Sequence, residues 1–211
     1  MKTVRGLLIT LEGIEGSGKS TQLTRLAAYL TQRGYKVAVT REPGGTPFGE
    51  QVRHVLLSAQ NQNLDPRAEL FLYLASRTQH LKEVILPSLR EGIIVLCDRF
   101  SDATLAYQGF GRGLDRSFVK EAVIYAAKGL QADLTLLLDL EVNRGLSRMH
   151  GRGAANRLDR EDLKFHQRVR EGYLKLARAS HRRIRVVDAS PGIETVALSI
   201  QKIVAEHLLK G

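Results

Sequence analysis

The chain has 211 residues, of which 43% are hydrophobic and 26% charged, so its length and composition suit one globular domain with a substantial core. It contains one cysteine, which excludes an internal disulfide and is typical of a reducing compartment, and no apolar run is long enough to span a membrane. The net charge of +10 favours polyanionic ligands, namely nucleotides or nucleic acid.

The apolar periodicity predicts alternating strands and helices along the chain. Residues 1–6 show no signal-peptide pattern and lead straight into the first strand, so we expect a cytoplasmic protein with no membrane partner. In chain order the predicted strands are 7–11, 36–40, 93–97, 134–138 and 184–188, and the predicted helices are 20–34, 50–57, 66–89, 116–128, 141–150, 159–180 and 193–209. Two segments are predicted as irregular, namely 41–47, which holds two prolines and two glycines, and a glycine-rich turn at 109–113.

This alternation indicates an α/β fold in which a five-stranded parallel sheet lies between two helical layers. Right-handed crossovers place the carboxyl ends of the strands at one edge of the sheet, where ligands bind in such folds. No linker, repeat or low-complexity tract interrupts the chain, so we expect a single domain over 1–211.

A glycine-rich turn follows the first predicted strand. Gly13, Gly18, Lys19 and Ser20 have the G-x-x-x-x-G-K-S spacing of the phosphate-binding P-loop. The glycines let several backbone N–H groups face an anion, Lys19 and the helix N-terminus add positive charge, and the Ser20 hydroxyl can bind a magnesium ion held between phosphates. The spacing therefore predicts a site for a nucleoside triphosphate and Mg²⁺.

Asp98 and Arg99 come directly after the continuous apolar run at 93–97, which is typical of a strand buried on both faces. A carboxylate in this position can hold Mg²⁺ opposite Ser20, as the Walker B aspartate does in P-loop proteins. The adjacent guanidinium suggests a second clamp for phosphate at the same place.

Six features, spread from about residue 10 to about residue 175, indicate a particular family among P-loop proteins. They are Glu-Gly-Ile-Glu-Gly-Ser-Gly-Lys-Ser at 12–20, Arg-Glu-Pro-Gly-Gly-Thr at 41–46, Tyr73 with Arg77, Asp-Arg-Phe at 98–100, Ala-Tyr-Gln-Gly at 106–109 and the basic segment around Arg157. The string at 12–20 is common to many NTPases. The string at 41–46, together with those at 98–100 and 106–109, is much more specific. In these features the chain resembles the thymidylate kinase family of P-loop nucleoside monophosphate kinases.

The resemblance implies phosphoryl transfer from ATP to dTMP in dTTP biosynthesis, with Mg²⁺ held by Ser20 and Asp98. The implied ATP contacts are Gly13, Ile14, Glu15, Gly16, Ser17, Gly18, Lys19, Ser20, Thr21 and Arg148, with 189–190 near adenine. The implied dTMP contacts are Arg53 and Arg99 at the phosphate, Tyr73 stacked on thymine, Arg77 at a base carbonyl, Thr104 and Gln108 at the base edge, Tyr107 beside the sugar 2′ position and Glu15 at the 3′-hydroxyl. The family is also typically a homodimer, and the helix from Pro66 or the one from Arg116 could supply the apolar face.

Gly16 stands where one type of the family carries a catalytic arginine, so the resemblance implies that a mobile lid at about 150–160 supplies this charge instead. Arg157 matches the lid arginine, and the basic excess of the chain lies mostly around it. Asn156 and Asp159 replace the aspartate and glutamate that are common there, which puts any role for a negative charge at Asn156 in doubt. The implied catalytic residues are Lys19, Asp98, Arg99 and Arg157.

Two other interpretations stay open on the sequence. The nearest is a P-loop kinase for another nucleoside monophosphate or for a deoxynucleoside, against which only Tyr73, Arg77, Thr104 and Gln108 argue. The second is a nucleic-acid-binding P-loop ATPase, motivated by the net charge. We do not expect nucleic acid as a partner, because aromatic residues are only 6% of the chain and the basic residues cluster near the predicted lid.

Overall fold

The computed structural model describes residues 6–149 and 156–209. Five parallel strands form one sheet in the order β2-β3-β1-β4-β5. The strands are β1 (Leu8–Glu12), β2 (Val37–Arg41), β3 (Ile94–Asp98), β4 (Leu134–Asp139) and β5 (Ile184–Asp188). The predicted α/β fold with a five-stranded parallel sheet is confirmed.

Helices cover both faces of this sheet. In chain order they are α1 (Lys19–Gln32), α2 (Pro47–Leu57), α3 (Pro66–His80), α4 (Leu86–Arg90), α5 (Ser101–Thr104), α6 (Arg116–Ala126), α7 (Val142–Met149), α8 (Leu163–Ala179) and α9 (Ile193–Leu208). Alternate side chains of β1 show why the strand is buried throughout, since Ile9 packs towards α1 and α9 while Leu8 packs towards the opposite layer.

Two predicted helices are present but differ from the prediction, one in its internal structure and the other in the residue at which it begins. The predicted helix at 66–89 consists of α3, a π-helical stretch at Leu81–Ile85 and then α4. The predicted helix at 159–180 begins only at Leu163, because the Asp162 side chain caps it by accepting from the backbone N–H of Phe165 at 2.6 Å. A short 3₁₀ turn at Leu158–Arg160 precedes this cap.

The predicted turn at 109–113 is wrong for 109–111, because the chain stays helical from α5 through a π-helical stretch at Leu105–Gly111 and leaves the helix only at 112–113. A Cβ atom at Gly111 would lie 2.8 Å from the side chains of both Phe165 and Val169 on α8. The glycine therefore permits close packing of two helical segments and does not mark a turn at this position. Only at Gly113, with φ of +73°, does the backbone take a conformation that favours glycine.

The sheet register places the predicted site residues at one edge. Asp98 pairs with Leu11 of β1 on one side and with Arg41 of β2 on the other. The P-loop, the 41–46 loop and the Asp98–Arg99 turn therefore leave three neighbouring strands at the same level. Within 6–149 and 156–209, no helix is both long enough and apolar enough to cross a membrane.

Candidate active site

A cavity of about 330 Å³ opens at the carboxyl edge of the sheet. Its lining includes most of the predicted site residues, namely Glu15, Gly16, Gly18, Lys19, Ser20, Thr21, Arg53, Tyr73, Arg77, Asp98, Arg99, Thr104, Tyr107 and Gln108. The predicted residues Gly13, Ile14, Ser17, Arg148 and Arg157 are not part of this lining. The structure thus joins the P-loop and the predicted base-binding residues in one continuous space.

Lys19 begins α1 at the P-loop end of the cavity. Its Nζ donates to the carbonyl oxygens of Gly13 at 3.0 Å and Ile14 at 2.8 Å. Burial, together with the nearby Arg99, lowers the pKa of Lys19 from 10.5 to about 8. An anion placed beside this ammonium would oppose both effects and favour its charged form.

Gly16 lies against helix α7. A Cβ atom at Gly16 would be 2.1 Å from the carbonyl oxygen of Gly145, and the φ of Gly16 is +70°. Conversely, a Cβ at Gly145 would be 2.6 Å from the carbonyl oxygen of Glu15. The P-loop and α7 therefore approach so closely that neither glycine position accommodates a side chain.

Ser20 and Asp98 face each other across the end of β3. The Ser20 hydroxyl donates to Asp98 Oδ2 at 3.1 Å. Asp98 Oδ1 is buried and has no hydrogen-bond partner within the part of the chain that the structure describes. A hydroxyl and a carboxylate with a spare oxygen are the hard oxygen ligands that Mg²⁺ prefers, so these residues fit the ion.

Arg99 is held by an unusual backbone and a dense set of side-chain contacts. Its φ is +68°, a left-handed conformation that is uncommon for a residue with a side chain. Its guanidinium donates to the carbonyl oxygen of Gly13 at 3.1 Å, to the Tyr173 hydroxyl at 3.2 Å and to Glu15 at 3.0 Å. Behind it, Glu12 accepts from the Tyr173 hydroxyl and from the backbone N–H of Phe100, both at 2.7 Å.

Glu15 lies at the end of the P-loop that contacts Tyr107, and it lines the cavity. The Tyr107 hydroxyl lies 2.7 and 2.8 Å from its two oxygens, and His166 Nδ1 lies 3.5 Å away. Burial opposes ionisation of this carboxyl, but Arg99, His166 and Lys19 outweigh it and hold the pKa of Glu15 well below its usual range. Glu15 is therefore an ionised acceptor at neutral pH.

The predicted base-binding end of the cavity contains three buried polar atoms without partners among the described residues. Arg77 is 1% exposed, and it donates to Glu42 at 2.7 Å and to the Phe100 carbonyl at 3.0 Å, which leaves its Nη1 without an acceptor. Thr104 Oγ1 and Gln108 Oε1 are also buried and unpaired. Because buried polar groups are normally satisfied, these atoms indicate a polar ligand that completes them.

Comparisons with known proteins agree with this geometry. The family model described as thymidylate kinase matches residues 11–200. The chain belongs to the thymidylate kinase family. This membership supports the dTMP kinase interpretation over another P-loop kinase and over a nucleic-acid-binding ATPase.

Individual relatives carry the same name. A thymidylate kinase of Trichlorobacter lovleyi is 52% identical over 208 residues, which are 96% of this chain and 98% of that protein. One from Carboxydothermus hydrogenoformans is 50% identical over 94% of this chain and 96% of its own length. The crystal structure of thymidylate kinase from Ehrlichia chaffeensis is similar with a TM-score of 0.79 and 35% identity, covering 95% of this chain and 99% of that one.

The predicted lid lies partly outside the described residues, since 150–155, which include the basic residue Arg152, are not described. Arg157 is buried away from the cavity lining, where its Nη2 lies 2.5 Å from Glu69 and its Nε donates to the Leu56 carbonyl at 2.9 Å. Asn156 accepts from the backbone N–H groups of Leu158 at 2.9 Å and Asp159 at 3.1 Å. This capping role needs an oxygen but no negative charge, so asparagine fulfils it as aspartate would.

Arg148 lies at the end of α7, beside the P-loop. Its guanidinium is 3.4 Å from the carbonyl oxygens of Gly16 and Ala189. The structure therefore brings together the residues predicted around adenine, Arg148 and 189–190, although Arg148 does not line the main cavity.

Sequence reasoning gave no role to several residues that hold the thymidylate kinase site together. They are Glu12, Glu42, Glu69, His166 and Tyr173. For two of them the nearby sequence could have indicated a role at the site. Glu12 is a charged residue at the end of a predicted strand, and Glu69 lies one helical turn before Tyr73. The other three take their roles from distant parts of the chain.

Proposed function

We propose that this chain transfers the γ-phosphoryl group of ATP to dTMP, giving ADP and dTDP. The observation that carries this proposal is the single cavity, which connects Lys19 of the P-loop to the unpaired atoms of Arg77, Thr104 and Gln108. Membership of the thymidylate kinase family makes the chain a phosphotransferase that uses ATP, and it supports dTMP as the acceptor.

For the donor, we assign the triphosphate of ATP to the loop from Gly13 to Thr21, with Arg148 and 189–190 near adenine. Ser20 and Asp98 would hold Mg²⁺, which neutralises and orients the phosphate oxygens when it is bound. Lys19 lies within this loop, and its desolvation strengthens its attraction for phosphate.

For the acceptor, we assign the dTMP phosphate to Arg99 and Arg53. Arg53 lines the cavity and is fixed by donation to the Pro43 carbonyl at 2.9 Å, which leaves other N–H groups of its guanidinium for phosphate. Tyr73 supplies an aromatic face for thymine. Tyr107 and Glu15, which are joined by hydrogen bonds, lie where the sugar would pass between base and phosphate.

The proposed mechanism needs no covalent nucleophile, because the dTMP phosphate accepts the phosphoryl group directly. It needs no strong general base either, because this phosphate monoester is already largely ionised near neutral pH. The residues hold two anions in line and offset their charge, which is how most of the barrier to phosphoryl transfer is lowered. Arg99 contributes from the acceptor side and Lys19 from the donor side. Arg157 is proposed to add charge when the lid closes, and this role requires its pair with Glu69 to open.

An ADP-release assay with ATP, Mg²⁺ and a panel of nucleoside monophosphates tests the proposal. We expect activity to be highest with dTMP and to fall by several orders of magnitude in Lys19→Ala, with the thermal melt of that variant showing that it is folded. A clear preference for a purine monophosphate, or ATP hydrolysis stimulated by DNA without transfer to any monophosphate, would overturn it.

A homodimer and a cytoplasmic location complete the proposal. Helices α3 and α6 expose Phe71, Phe118, Ile124 and Tyr125, and Tyr125 is 87% exposed. Such an apolar surface is typical of an interface between copies of a chain. Analytical ultracentrifugation should give the mass of a dimer, and Tyr125→Asp should shift it towards the monomer. A wild-type monomer at micromolar concentration would contradict this part of the proposal.

A further inference from the structure

Glu69 is a fully buried carboxylate on α3, behind the base-binding end of the cavity. It accepts from Gln108 Nε2 at 2.6 Å, from Arg112 at 3.2 and 3.0 Å, and from Arg157 at 2.5 Å. Burial favours its neutral form, but the hydrogen bond and charge of Arg112, followed by Arg157, outweigh burial and lower the pKa of Glu69. Glu69 is therefore ionised at neutral pH and can only accept hydrogen bonds.

This ionised partner fixes the orientation of the Gln108 side-chain amide. An amide has one donating end and one accepting end, and only the NH₂ group can face a carboxylate. The carbonyl oxygen Oε1 must then point the other way, and it is buried, unpaired within the described chain and part of a residue that lines the cavity. Gln108 consequently offers a hydrogen-bond acceptor to a bound base.

Arg77 offers the opposite group at the same end of the cavity. Glu42 and the Phe100 carbonyl hold its guanidinium, and its unpaired Nη1 is a permanent donor. Thymine and uracil present an N3–H donor next to the C4 carbonyl acceptor, whereas cytosine presents an N3 acceptor next to an amino donor. A wall with a fixed acceptor and a fixed donor therefore matches the first pattern and leaves unpaired groups with the second.

We propose that Glu69 is a positioning residue that determines base specificity, because it locks Gln108 in the orientation that selects pyrimidine-2,4-diones and rejects cytosine rings. Glu69 does not contact the substrate and acts only through Gln108. The inference rests on the proposed function, and it deepens that function by naming what excludes the competing pyrimidine.

Glu69→Gln is the direct test, since glutamine has the same shape but can present either end to Gln108. The readout is the ratio of kcat/KM for dTMP to kcat/KM for 5-methyl-dCMP, which keeps the methyl group and reverses the base edge. We expect this ratio to fall by about tenfold to a hundredfold, because the difference between a paired and an unpaired buried hydrogen-bonding group changes an affinity by a factor of this size. A merely structural role for Glu69 would lower both kcat/KM values equally, and an unchanged ratio would overturn the inference.

Two controls separate this effect from a general disturbance of the contacts around Glu69. Arg112→Lys disturbs the geometry of another partner of Glu69 but keeps the positive charge that holds Glu69 ionised and leaves the contact with Gln108, so the ratio should stay close to that of the wild type. In a Gln108→Leu background, Glu69→Gln should change the ratio no further, since the residue through which it acts is absent. An equal change in both backgrounds would show that Glu69 acts by another route and would refute the proposal.

A measurement on the unaltered protein covers the case in which Glu69→Gln does not fold. The side-chain NH₂ signals of Gln108, assigned with Gln108→Leu, should show one proton protected from exchange and shifted downfield by the carboxylate. Two rapidly exchanging protons would overturn the proposed orientation. A wild-type enzyme that does not phosphorylate dTMP would instead refute the proposed function, and the NMR result would still decide how Gln108 is oriented.

Discussion

Glu12 gives the sharpest quantitative prediction. It ends β1 with no exposed surface, and burial, followed by the charge of Asp102, raises its pKa from 4.5 to about 7. Its two oxygens accept from the Phe100 N–H and the Tyr173 hydroxyl. Glu12→Gln keeps the shape and the acceptor for Phe100, and it imitates the protonated carboxyl, so it isolates the cost of the buried negative charge.

The sign and size follow from proton linkage. Between pH 4.5 and 7 the folded protein keeps the Glu12 proton that the unfolded chain has lost. The contribution of Glu12 to the free energy of unfolding therefore decreases as the pH rises through that range. The gap between the two pKa values corresponds to about 3 kcal/mol at pH above 7. Glu12→Gln should therefore gain about 3 kcal/mol relative to the wild type between about pH 4.5 and pH 8.

Urea denaturation of both proteins at pH 5, 6, 7 and 8, at one ionic strength, measures this difference. The free energies of unfolding of the two proteins should diverge with rising pH and become parallel above pH 7. Curves that stay parallel over the whole range would show that Glu12 ionises as it does in the unfolded chain, and the argument from burial would be wrong.

Three further predictions concern the donor site, the lid and helix packing. In the wild type, kcat/KM for ATP should fall above pH about 8, because Lys19 loses its proton there. Stopped-time assays across pH 7–9.5 measure this, and a constant kcat/KM over that range would show that Lys19 keeps its proton. Arg157→Ala should lower kcat strongly with little change in the circular dichroism spectrum, whereas unchanged turnover would remove Arg157 from the mechanism. Gly111→Ala should lower the free energy of unfolding by about 1–3 kcal/mol through overpacking, while Gly109→Ala, whose Cβ would meet only Arg116 at 3.5 Å, should cost less in the same denaturation assay.

The parts of the fold that the sequence predicted well depend on local patterns. The buried strand β3 reads as a continuous apolar run because both of its faces are covered, and the P-loop reads from its glycine and lysine spacing. Once the strands are known to be parallel, the position of Asp98 beside Ser20 follows from the common edge. For these features the information lies within a few residues of each element.

The features that the sequence did not predict depend on contacts between distant residues. Glu69 meets Arg157 across 88 positions, so nothing near either residue reveals the pair. Gly111 looks like a turn residue, and only the packing of Phe165 against it shows why a glycine is needed inside a helix. Likewise, the orientation of Gln108 is set by a carboxylate 39 residues earlier in the chain.

The close approach of Gly16 and Gly145 restricts how this enzyme can change by mutation. An arginine at position 16 would force its Cβ into the backbone of α7, and no rotamer of the added side chain relieves a clash with a carbonyl group. Relief requires α7 to withdraw, and α7 ends at Met149, next to the predicted lid. The catalytic role proposed for Arg157 cannot therefore move to the P-loop by one substitution, because the backbone that leads into the predicted lid must be rebuilt in the same step.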